Sequence, residues 1–435
     1  MRIFLRYVFA MFSSASRTPH LLCFFMLLLL WCGPGRPAQG QAGNSASVAG
    51  TVVDAQTKKP LGFATVFIAQ TTYGTNSAEN GTFKLSSLPA GTHELVVSFL
   101  GYETLSHKFT LQAGQQLSFR FELMPKANAL QEIVIRPDTN WKQNYSIFLK
   151  NFIGQTENAA KTEIINADVL YFQFDPEARL LTAEAIKPLI IENRALGYRL
   201  HFVLEDFQVN FANSQTFHAG YPRFEKMKPR SNAQQKRWEE ARLNAYNGSL
   251  MHFTRALYRK NLEAEGFNVR RLERRPNPNR PPEAEIQAGL NRARNQQMGT
   301  IMRISQGGAQ EDSLSYWSRM AGLDKTVAFL YKDPIPYEQL VAPDASGERL
   351  RLQFKDNLNV VYTKEKEELG FVNQRVFSKR RASGFQTSLL TLTEPYTFIE
   401  PNGMILNPYS HLVEGYWAWE KLAEMLPLDY SPRPE

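Results

Sequence analysis

The chain has 435 residues, with 50 basic and 42 acidic ones, and a formal charge of +8 at pH 7. Hydrophobic residues make up 43% of the sequence, which is enough for packed cores and excludes a largely disordered protein. The two cysteines, Cys23 and Cys32, lie in a predicted N-terminal leader. We therefore expect the mature protein to have no disulfide, no reactive thiol and no cysteine-bound metal.

Residues 1–42 have the three-part order of a secretory signal peptide. Three arginines precede an apolar run at 21–32, and small and polar residues follow it. Such a run is too short to span a bilayer comfortably, so we predict cleavage and export. Loss of the four leader arginines lowers the formal charge from +8 to about +4. A lipoprotein signal acylated at Cys32 is the alternative, and the bulky Trp31 before that cysteine argues against it.

Residues 44–125 are predicted to form a small antiparallel β-sandwich. Short runs of alternating apolar and polar residues are separated by turn signals such as Asn80-Gly81 and residues 89–91. Alternation with a period of two buries one face of each strand, and Asn-Gly can adopt the positive φ of a tight hairpin turn. A module of this size is near the lower limit for independent folding.

This segment resembles the carboxypeptidase regulatory-like domain, a Greek-key sandwich also called transthyretin-like or starch-binding-like. The matching residues, in order, are 50–54, 60–61, 64–66, 74–75, 80–83, 88–91 and 101–102. The family is named for its position beside peptidases and is not itself catalytic. In Bacteroidetes envelope proteins the module commonly precedes outer-membrane receptors and enzymes. The resemblance therefore implies a location in the periplasm or in association with the outer membrane.

Residues 126–140 are predicted to be a linker with an inter-domain strand at 130–135. This strand is similar to a segment that follows the same module in TonB-dependent receptors, and a docking peptide for the motor protein is the alternative. No segment after the leader has eighteen consecutive apolar residues, so we expect no transmembrane helix in the mature chain.

Residues 141–430 are predicted to form a second domain of α+β class, because strands and helices follow in too irregular an order for a doubly wound sheet. The predicted helices cover 141–153, two stretches within 231–265 that meet at 247–249, 282–296, and 414–426 before Pro427. The predicted strands cover 169–174, 189–191, 198–204, 207–211, a hairpin of 350–354 and 358–362, 388–392 and 396–399.

Parts of the second domain resemble an uncharacterised Bacteroidetes envelope family that is joined to this sandwich. The matching residues are 190–193, 195–198, 248–249, 252–253 and 415–419. This resemblance implies a cell-envelope protein and no particular activity.

Known catalytic motifs are absent from the sequence. Only His411-Leu412-Val413-Glu414 matches half of a metallocarboxypeptidase zinc site, and no histidine follows it. A serine-hydrolase elbow and a phosphate-binding loop are also missing. We therefore predict a non-enzymatic protein with no catalytic, metal-binding or cofactor-binding residues. A hydrolase with an unfamiliar site is the alternative, and carboxylates clustered in a deep cleft of the second domain would favour it.

Four aromatic residues near the C-terminus are candidate ligand-binding residues: Tyr409, Tyr416, Trp417 and Trp419. Aromatic planes can stack on sugars, and an aromatic row on an open surface would favour this function. At helical spacing such residues can equally anchor a helix to the domain core.

Basic residues are dense between Arg255 and Arg303. Export and several intervening glutamates argue against nucleic acid as a partner. We expect a solvated helix face, with an anionic envelope polymer or a lipid headgroup surface as the alternative partner.

The sequence thus predicts a non-enzymatic binding or structural protein of the cell envelope, whose sandwich docks onto an envelope protein or a glycan. Peripheral association with the outer membrane agrees with this function. The alternatives are a carbohydrate-binding protein and an accessory component of a TonB-dependent outer-membrane uptake system.

Overall fold

The computed structural model describes residues 46–126, 140–298, 313–344, 349–374 and 382–432. The predicted signal peptide and the strand expected at 130–135 lie outside these ranges. No helix within them is long and apolar enough to cross a membrane.

Seven strands form the N-terminal sandwich. They are β1 (Ala46–Asp54), β2 (Thr65–Ile68), β3 (Gly74–Asn76), β4 (Thr82–Leu88), β5 (Gly91–Ser98), β6 (Leu105–Leu111) and β7 (Gln116–Leu123). One sheet has the order β4-β1-β7 and the other β3-β2-β5-β6, so the chain passes repeatedly between the two. The predicted sandwich is confirmed. Gly81 has a positive φ of +78°, but the Asn80-Gly81 turn joins β3 to β4, which lie in different sheets, so the predicted hairpin at this turn is wrong.

One pair of strands in the sandwich differs from the predicted antiparallel arrangement. β1 and β7 run parallel over eight residue pairs, from Ser47 with Gln116 to Asp54 with Leu123. Period-two alternation indicates which face of a strand is buried, but it carries no information on the direction of the neighbouring strand. The sandwich is therefore mixed.

The second domain begins with a six-stranded sheet covered by one helix. Its elements are α1 (Trp141–Phe152), β8 (Thr162–Ile164), β9 (Leu170–Asp175), β10 (Leu180–Ala185), β11 (Leu189–Asn193), β12 (Tyr198–Asn210) and β13 (Gln215–Lys226). β12 pairs with β11, β10 and β13, so the two strands predicted at 198–204 and 207–211 are one strand with a bulge. Phe148 and Phe152 of α1 are fully buried, and each such ring contributes about 1.5–3 kcal/mol.

The described part of the domain contains two further sheets and eight α-helices. The helices are α2 (Asn232–Tyr246), α3 (Leu250–Tyr258), α4 (Leu262–Glu265), α5 (Glu283–Met298), α6 (Ser313–Gly322), α7 (Tyr337–Leu340), α8 (Leu369–Val372) and α9 (Tyr416–Trp419). The strands are β14 (Phe267–Pro276), β15 (Thr326–Pro334), β16 (Val341–Pro343), β17 (Leu350–Leu352), β18 (Asn357–Lys366), β19 (Phe385–Leu392), β20 (Thr397–Ile399) and β21 (His411–Gly415). The sheet orders are β15-β14-β18-β19-β21 and β16-β17-β20. The α+β class is confirmed.

The corner between α2 and α3 forms where it was predicted. Ser231 and Ser249 cap the two helices, and their hydroxyl oxygens accept hydrogen bonds from the N–H groups of Gln234 and His252. A side-chain cap of this kind stabilises a helix by about 1 kcal/mol.

The predicted hairpin of 350–354 and 358–362 is wrong. β17 pairs with β16 and β20, whereas β18 pairs with β14 and β19 in the larger sheet. Asp356, between the two strands, has φ of +62° and accepts a 2.7 Å hydrogen bond from Arg271 Nε. The turn therefore passes the chain from one sheet to another, which local alternation cannot distinguish from a hairpin.

The predicted final helix over 414–426 is also wrong. This segment contains the last residues of β21, the single turn α9, and a 3₁₀ turn at Leu422–Glu424. Gly415 ends the strand with φ of +73°, and a Cβ there would lie 2.5 Å from the Thr387 carbonyl oxygen. Contacts on several sides bury this segment. Apolar residues therefore recur along it at the spacing expected of a helix with one buried face.

The sandwich packs against the second domain through one face of its four-stranded sheet. Phe67, Ala69 and Val96 form an apolar cluster with Val203 of β12 and Tyr221 of β13. Alternate residues of the same strands fill the sandwich core. β2 and β5 are therefore buried on both faces, which is typical of strands inside a larger assembly.

Hydrogen bonds to the C-terminal segment extend this interface. The Leu428 N–H donates to the Gln70 carbonyl at 2.7 Å, and the Gln70 N–H donates to the Pro222 carbonyl at 2.7 Å. Asp429 accepts from the Thr72 N–H at 2.9 Å and from the Thr72 hydroxyl. The loop after β2 is thereby attached to both β13 and the end of the chain.

We expect Asp429→Ala to lower the free energy of unfolding by about 1–3 kcal/mol, because it leaves the Thr72 donors without their charged acceptor. Denaturant unfolding of the full chain measures this change. The control is Glu184→Ala, which removes an exposed carboxylate from β10 and should change the midpoint little. An Asp429→Ala midpoint equal to that of the control would show that the contact does not stabilise the interface.

Candidate functional site

A cavity of about 800 Å³ opens in the second domain, between α2, the loop after α1 and the C-terminal segment. Four glutamates from two separate parts of the chain share its wall: Glu365, Glu368, Glu420 and Glu424. A cluster of carboxylates in a cleft is the feature that would favour a hydrolase, and the sequence did not identify which residues form it.

Each of the four glutamates is placed by a different local feature. Glu365 lies near the end of β18, and Glu368 is the N-cap residue of α8. Glu420 directly follows α9, and Glu424 ends the 3₁₀ turn. The Asn193 side-chain amide donates to the Ala423 carbonyl at 2.7 Å, so the C-terminal segment is tied to β11 just before Glu424.

Two of the carboxylates are held by neutral donors. Glu424 accepts hydrogen bonds from the Thr156 hydroxyl and, at 2.7 Å, from the Asn158 amide. Glu365 accepts from the side-chain amides of Asn247 at 3.2 Å and Gln386 at 3.1 Å. Neutral donors orient a carboxylate without cancelling its charge.

Burial raises the pKa of all four carboxyl groups. The pKa of Glu420 lies well above the ordinary 4.5, because of burial and then the charges of Glu424, Glu368 and Glu365. Burial also raises the pKa of Glu424, and Glu368 and Glu157 add to the effect. The pKa values of Glu365 and Glu368 are raised by burial as well. The charged neighbours that raise the pKa values of Glu368, Glu420 and Glu424 are other carboxylates, so ionised glutamates repel one another in this cavity.

The corner between α2 and α3 supports one side of the cavity. Gly248 has φ of +76°, and a Cβ there would lie 2.2 Å from Gln386 Oε1. Its N–H donates to His252 Nδ1 at 3.1 Å, and its carbonyl accepts from Trp417 Nε1 at 2.7 Å. Only glycine fits this approach, and the corner therefore fixes the position of the Gln386 amide.

The predicted aromatic candidates do not form an open row. Tyr416, Trp417 and Trp419 are 3%, 5% and 7% exposed, which places them in the core. Tyr409 is 58% exposed and stacks on Phe217, with ring centroids 5.2 Å apart. Of the four, Tyr416 alone lines the carboxylate cavity, since its core position lies directly beside Glu368.

His411 and Glu414 do not form half of a zinc site. Both lie on β21, where residues three apart point to opposite faces. Glu414 is paired with Arg274 at 2.7 Å. Glu414 was predicted to begin the final helix, but it lies in this sheet strand. Among the residues that the structure describes, no group of three His, Cys, Asp or Glu side chains is arranged to hold a metal ion.

Only part of the basic stretch that begins at Arg255 is the solvated helix face that was expected, namely Arg292 and Arg294, which are exposed on α5. Arg255 is 5% exposed and donates to three backbone carbonyls. Arg271, Arg274 and Arg275 lie on β14 and pair with Asp356, Glu414 and Glu273 respectively. Acidic neighbours therefore neutralise much of this stretch inside the fold.

The sequence contained one local signal for the cavity. Glu420 and Glu424 are four residues apart in a segment rich in apolar residues, where carboxylates are unusual. Their convergence with Glu365 and Glu368, more than fifty residues earlier, depends on β18 and β19 lying beside the C-terminal segment. No local pattern in the sequence indicates that these strands lie beside the C-terminal segment.

Comparison with known proteins identifies the N-terminal module. Residues 48–135 match the family model of the CarboxypepD_reg-like domain, so the predicted resemblance of this segment is confirmed. The match leaves the second domain outside the family. No curated protein matches the chain.

Solved structures show only weak likeness. Catechol 1,2-dioxygenase from Acinetobacter sp. is 15% identical over 21% of this chain and 56% of its own, with a TM-score of 0.17. The major pilin subunit of Bacillus cereus is 15% identical over 19% and 30%, with a TM-score of 0.17. A DUF3823 family protein from Bacteroides ovatus is 10% identical over 42% and 82%, with a TM-score of 0.16. These values support no argument about function.

We expect Glu420→Gln to stabilise the protein near pH 8 and to change it little near pH 5. The folded state binds the Glu420 proton more tightly than the unfolded state, so stability is lost as pH rises from 4.5 through the raised pKa. Glutamine is neutral at every pH and does not have this loss. Thermal unfolding across this range measures the difference.

Glu184→Gln on β10 is the matched control, because its carboxylate is exposed. Its stability should follow the wild-type pH dependence. A Glu420→Gln protein that is less stable than wild type near pH 8 would show that the fold stabilises the ionised form of Glu420, which would contradict a raised pKa.

Proposed function

We propose that this protein is a non-enzymatic binding protein of the cell envelope, and that the carboxylate cavity of its second domain is the ligand site. The observation that supports this most is that four buried or partly buried carboxyl groups surround one open cavity, and that the hydrogen-bond donors to them from the described residues are neutral. Burying charge without a counter-charge destabilises a fold, so such clusters are typical of functional sites.

The cavity has the size and position of a small-molecule site. Its volume of about 800 Å³ is within the range of ligand pockets, and several separate elements contribute to its wall. Protein ligand sites usually combine shape with a few directed polar groups, and here the glutamates and the Gln386 amide have that role.

The sandwich has a positioning role in this proposal. Its β2 and β5 face is buried against the second domain, so it is not available to another molecule. The outer face of the β4-β1-β7 sheet is polar, with Thr82, Lys84 and Ser86 exposed. We propose that an envelope protein or a glycan meets the sandwich on this second face.

The predicted export of the chain supports the envelope assignment. The predicted signal peptide and the CarboxypepD_reg-like module agree with a protein of the periplasm or outer membrane. An accessory role in TonB-dependent uptake depends on residues 130–135, outside the described ranges, and stays a prediction.

Filling the cavity should abolish ligand binding. Asn244 is an exposed residue of α2 on the cavity wall, and Asn244→Trp would occupy the opening without removing a glutamate. We expect at least one member of a panel of neutral sugars, amino sugars and short peptides to raise the Tm of the wild-type protein. Asn244→Trp should lose that shift.

Asn291→Trp makes the same change on the exposed face of α5 and should retain the ligand-induced shift. A shift that survives in Asn244→Trp would place the ligand elsewhere. A panel without any stabilising member would count against a binding function for the cavity.

A hydrolase is the second candidate, because one observation favours it. Burial and the neighbouring carboxylates raise the pKa of Glu420, so it keeps its proton to a higher pH than an ordinary glutamate, and a glycosidase needs such an acid near a second carboxyl group such as that of Glu424. Release of nitrophenol from aryl glycosides by wild type and its loss in Glu420→Gln would support this function. Equal rates in the two proteins would contradict it.

A further inference from the structure

A second cavity, of about 870 Å³, lies on the other side of α2 from the carboxylate cavity. β12, β13, α2 and the C-terminal segment contribute to its wall. The two cavities share Glu240 as a lining residue and otherwise use opposite faces of the helix, such as Gln235 and Arg242 here and Trp238 and Ala241 in the carboxylate cavity. A ligand in one cavity therefore does not occupy the other.

Three hydrogen-bond donors come together in the wall of the second cavity. Tyr198 of β12 is directly opposite Lys226 of β13 in an antiparallel pair, so their side chains lie on the same face of the sheet. The guanidinium of Arg242 from α2 lies over the Tyr198 ring, 4.3 Å from its centroid. The phenol, the ammonium and the guanidinium are thus neighbours on one side of the cavity.

These donors are not used up by the protein. Tyr198 is 1% exposed, yet none of the contacts that act on its hydroxyl is a hydrogen bond, and burial raises its pKa to about 12, so it stays a donor at neutral pH. Arg242 donates from Nε to the Leu196 carbonyl at 2.7 Å and from Nη2 to the Gly197 carbonyl at 3.2 Å. Its Nη1 and the Lys226 ammonium have no acceptor within the described part of the chain.

The acidic residues of the same wall, in contrast, already have donors. Asp429 accepts from the N–H and from the hydroxyl of Thr72. Glu239 accepts from the Gln235 amide at 3.0 Å, and Glu240 lies 3.8 Å from the lysine four residues earlier in α2. A molecule that complements this cavity must therefore supply acceptors and not donors.

We propose that this second cavity binds the carboxylate group of a small organic acid, at a site separate from that of the proposed function. A carboxylate is a pure acceptor, and hydrogen bonds from charged donors to it are among the strongest in proteins. The rest of the ligand would lie against Pro427, the ring of Tyr430 and Leu243, which is 41% exposed. Apolar walls with a few directed polar groups are typical of ligand sites.

The charges of the wall favour a ligand with a single negative charge. Three carboxylates, those of Glu239, Glu240 and Asp429, line the same cavity and would repel a second charge. Arg242 has one amino group available, because its other donors hold the carbonyls before and at Gly197, so it cannot form the two-pronged contact that suits phosphate. An acid with one carboxylate and an apolar body fits both conditions.

The test is calorimetric titration of the mature full-length protein with 4-phenylbutyrate and with hexanoate. The matched probes are 4-phenylbutyramide and hexanamide, which keep the shape and lack the charge. We expect at least one of the acids to bind, about tenfold more tightly than its amide at pH 7. No binding of either acid, or equal binding of acid and amide, would overturn the proposal.

Two variants connect the binding to the named donors. Lys226→Gln should weaken the acid severalfold and leave the amide unchanged, because only the acid has a charge to lose. Tyr198→Phe should weaken both, since a carboxylate and an amide carbonyl accept the same hydrogen bond. The second variant keeps the ring beneath Arg242 and removes a hydroxyl without a protein partner, so its unfolding midpoint should equal that of wild type.

The controls place the ligand in this cavity. Lys332→Gln makes the same change of charge on the exposed edge strand β15 and should bind the acids as wild type does. Asn244→Trp fills the carboxylate cavity and should also bind them normally. Loss of binding in Asn244→Trp, or an acid preference that persists in Lys226→Gln and Tyr198→Phe, would overturn the proposal. Displacement of the acids by a lower concentration of inorganic phosphate would contradict a site for a single charge.

Discussion

The C-terminal segment, residues 416–430, connects the sandwich with both large sheets of the second domain, and the rest of the structure depends on its contacts. Arg255 of α3 holds this segment by donating to the carbonyls of Leu428 and Tyr430, and to that of Asn402 in the loop after β20. The guanidinium is 5% exposed, so each of these donors needs a protein acceptor. An unsatisfied buried donor costs about 1–3 kcal/mol, and the irregular path of the segment supplies the acceptors.

The same path creates the cavity and its electrostatic character. It brings Glu420 and Glu424 beside Glu365 and Glu368, where burial and mutual repulsion raise the pKa of the carboxyl groups. A fold that needed only packing at this place would be more stable with apolar side chains. The protein thus carries a local destabilisation at this cavity.

The two domains differ in how they use their surfaces. One sheet face of the sandwich packs against the second domain through Phe67 and Val96, and the polar face of β4-β1-β7 is exposed to solvent. The sheets of the second domain pack within that domain, which also contains an open polar cavity. A module expected to dock onto another molecule therefore docks first onto its own chain, and this contact sets the orientation of its free face relative to the cavity.

The sequence by itself determined the elements whose signals are local. The sandwich, its Asn80-Gly81 turn, the corner at residues 247–249 and the α+β class all follow from alternation, turn chemistry and caps within a few residues. Tertiary structure decided the parallel pairing of β1 with β7, the separation of β17 from β18, and the loss of the final helix at Gly415. The helix was wrong because burial of that segment on several sides produces the same apolar spacing as a helix. Tertiary structure also decided the cavity. Glutamates more than fifty residues apart come together because of strand pairings that no local sequence pattern indicates.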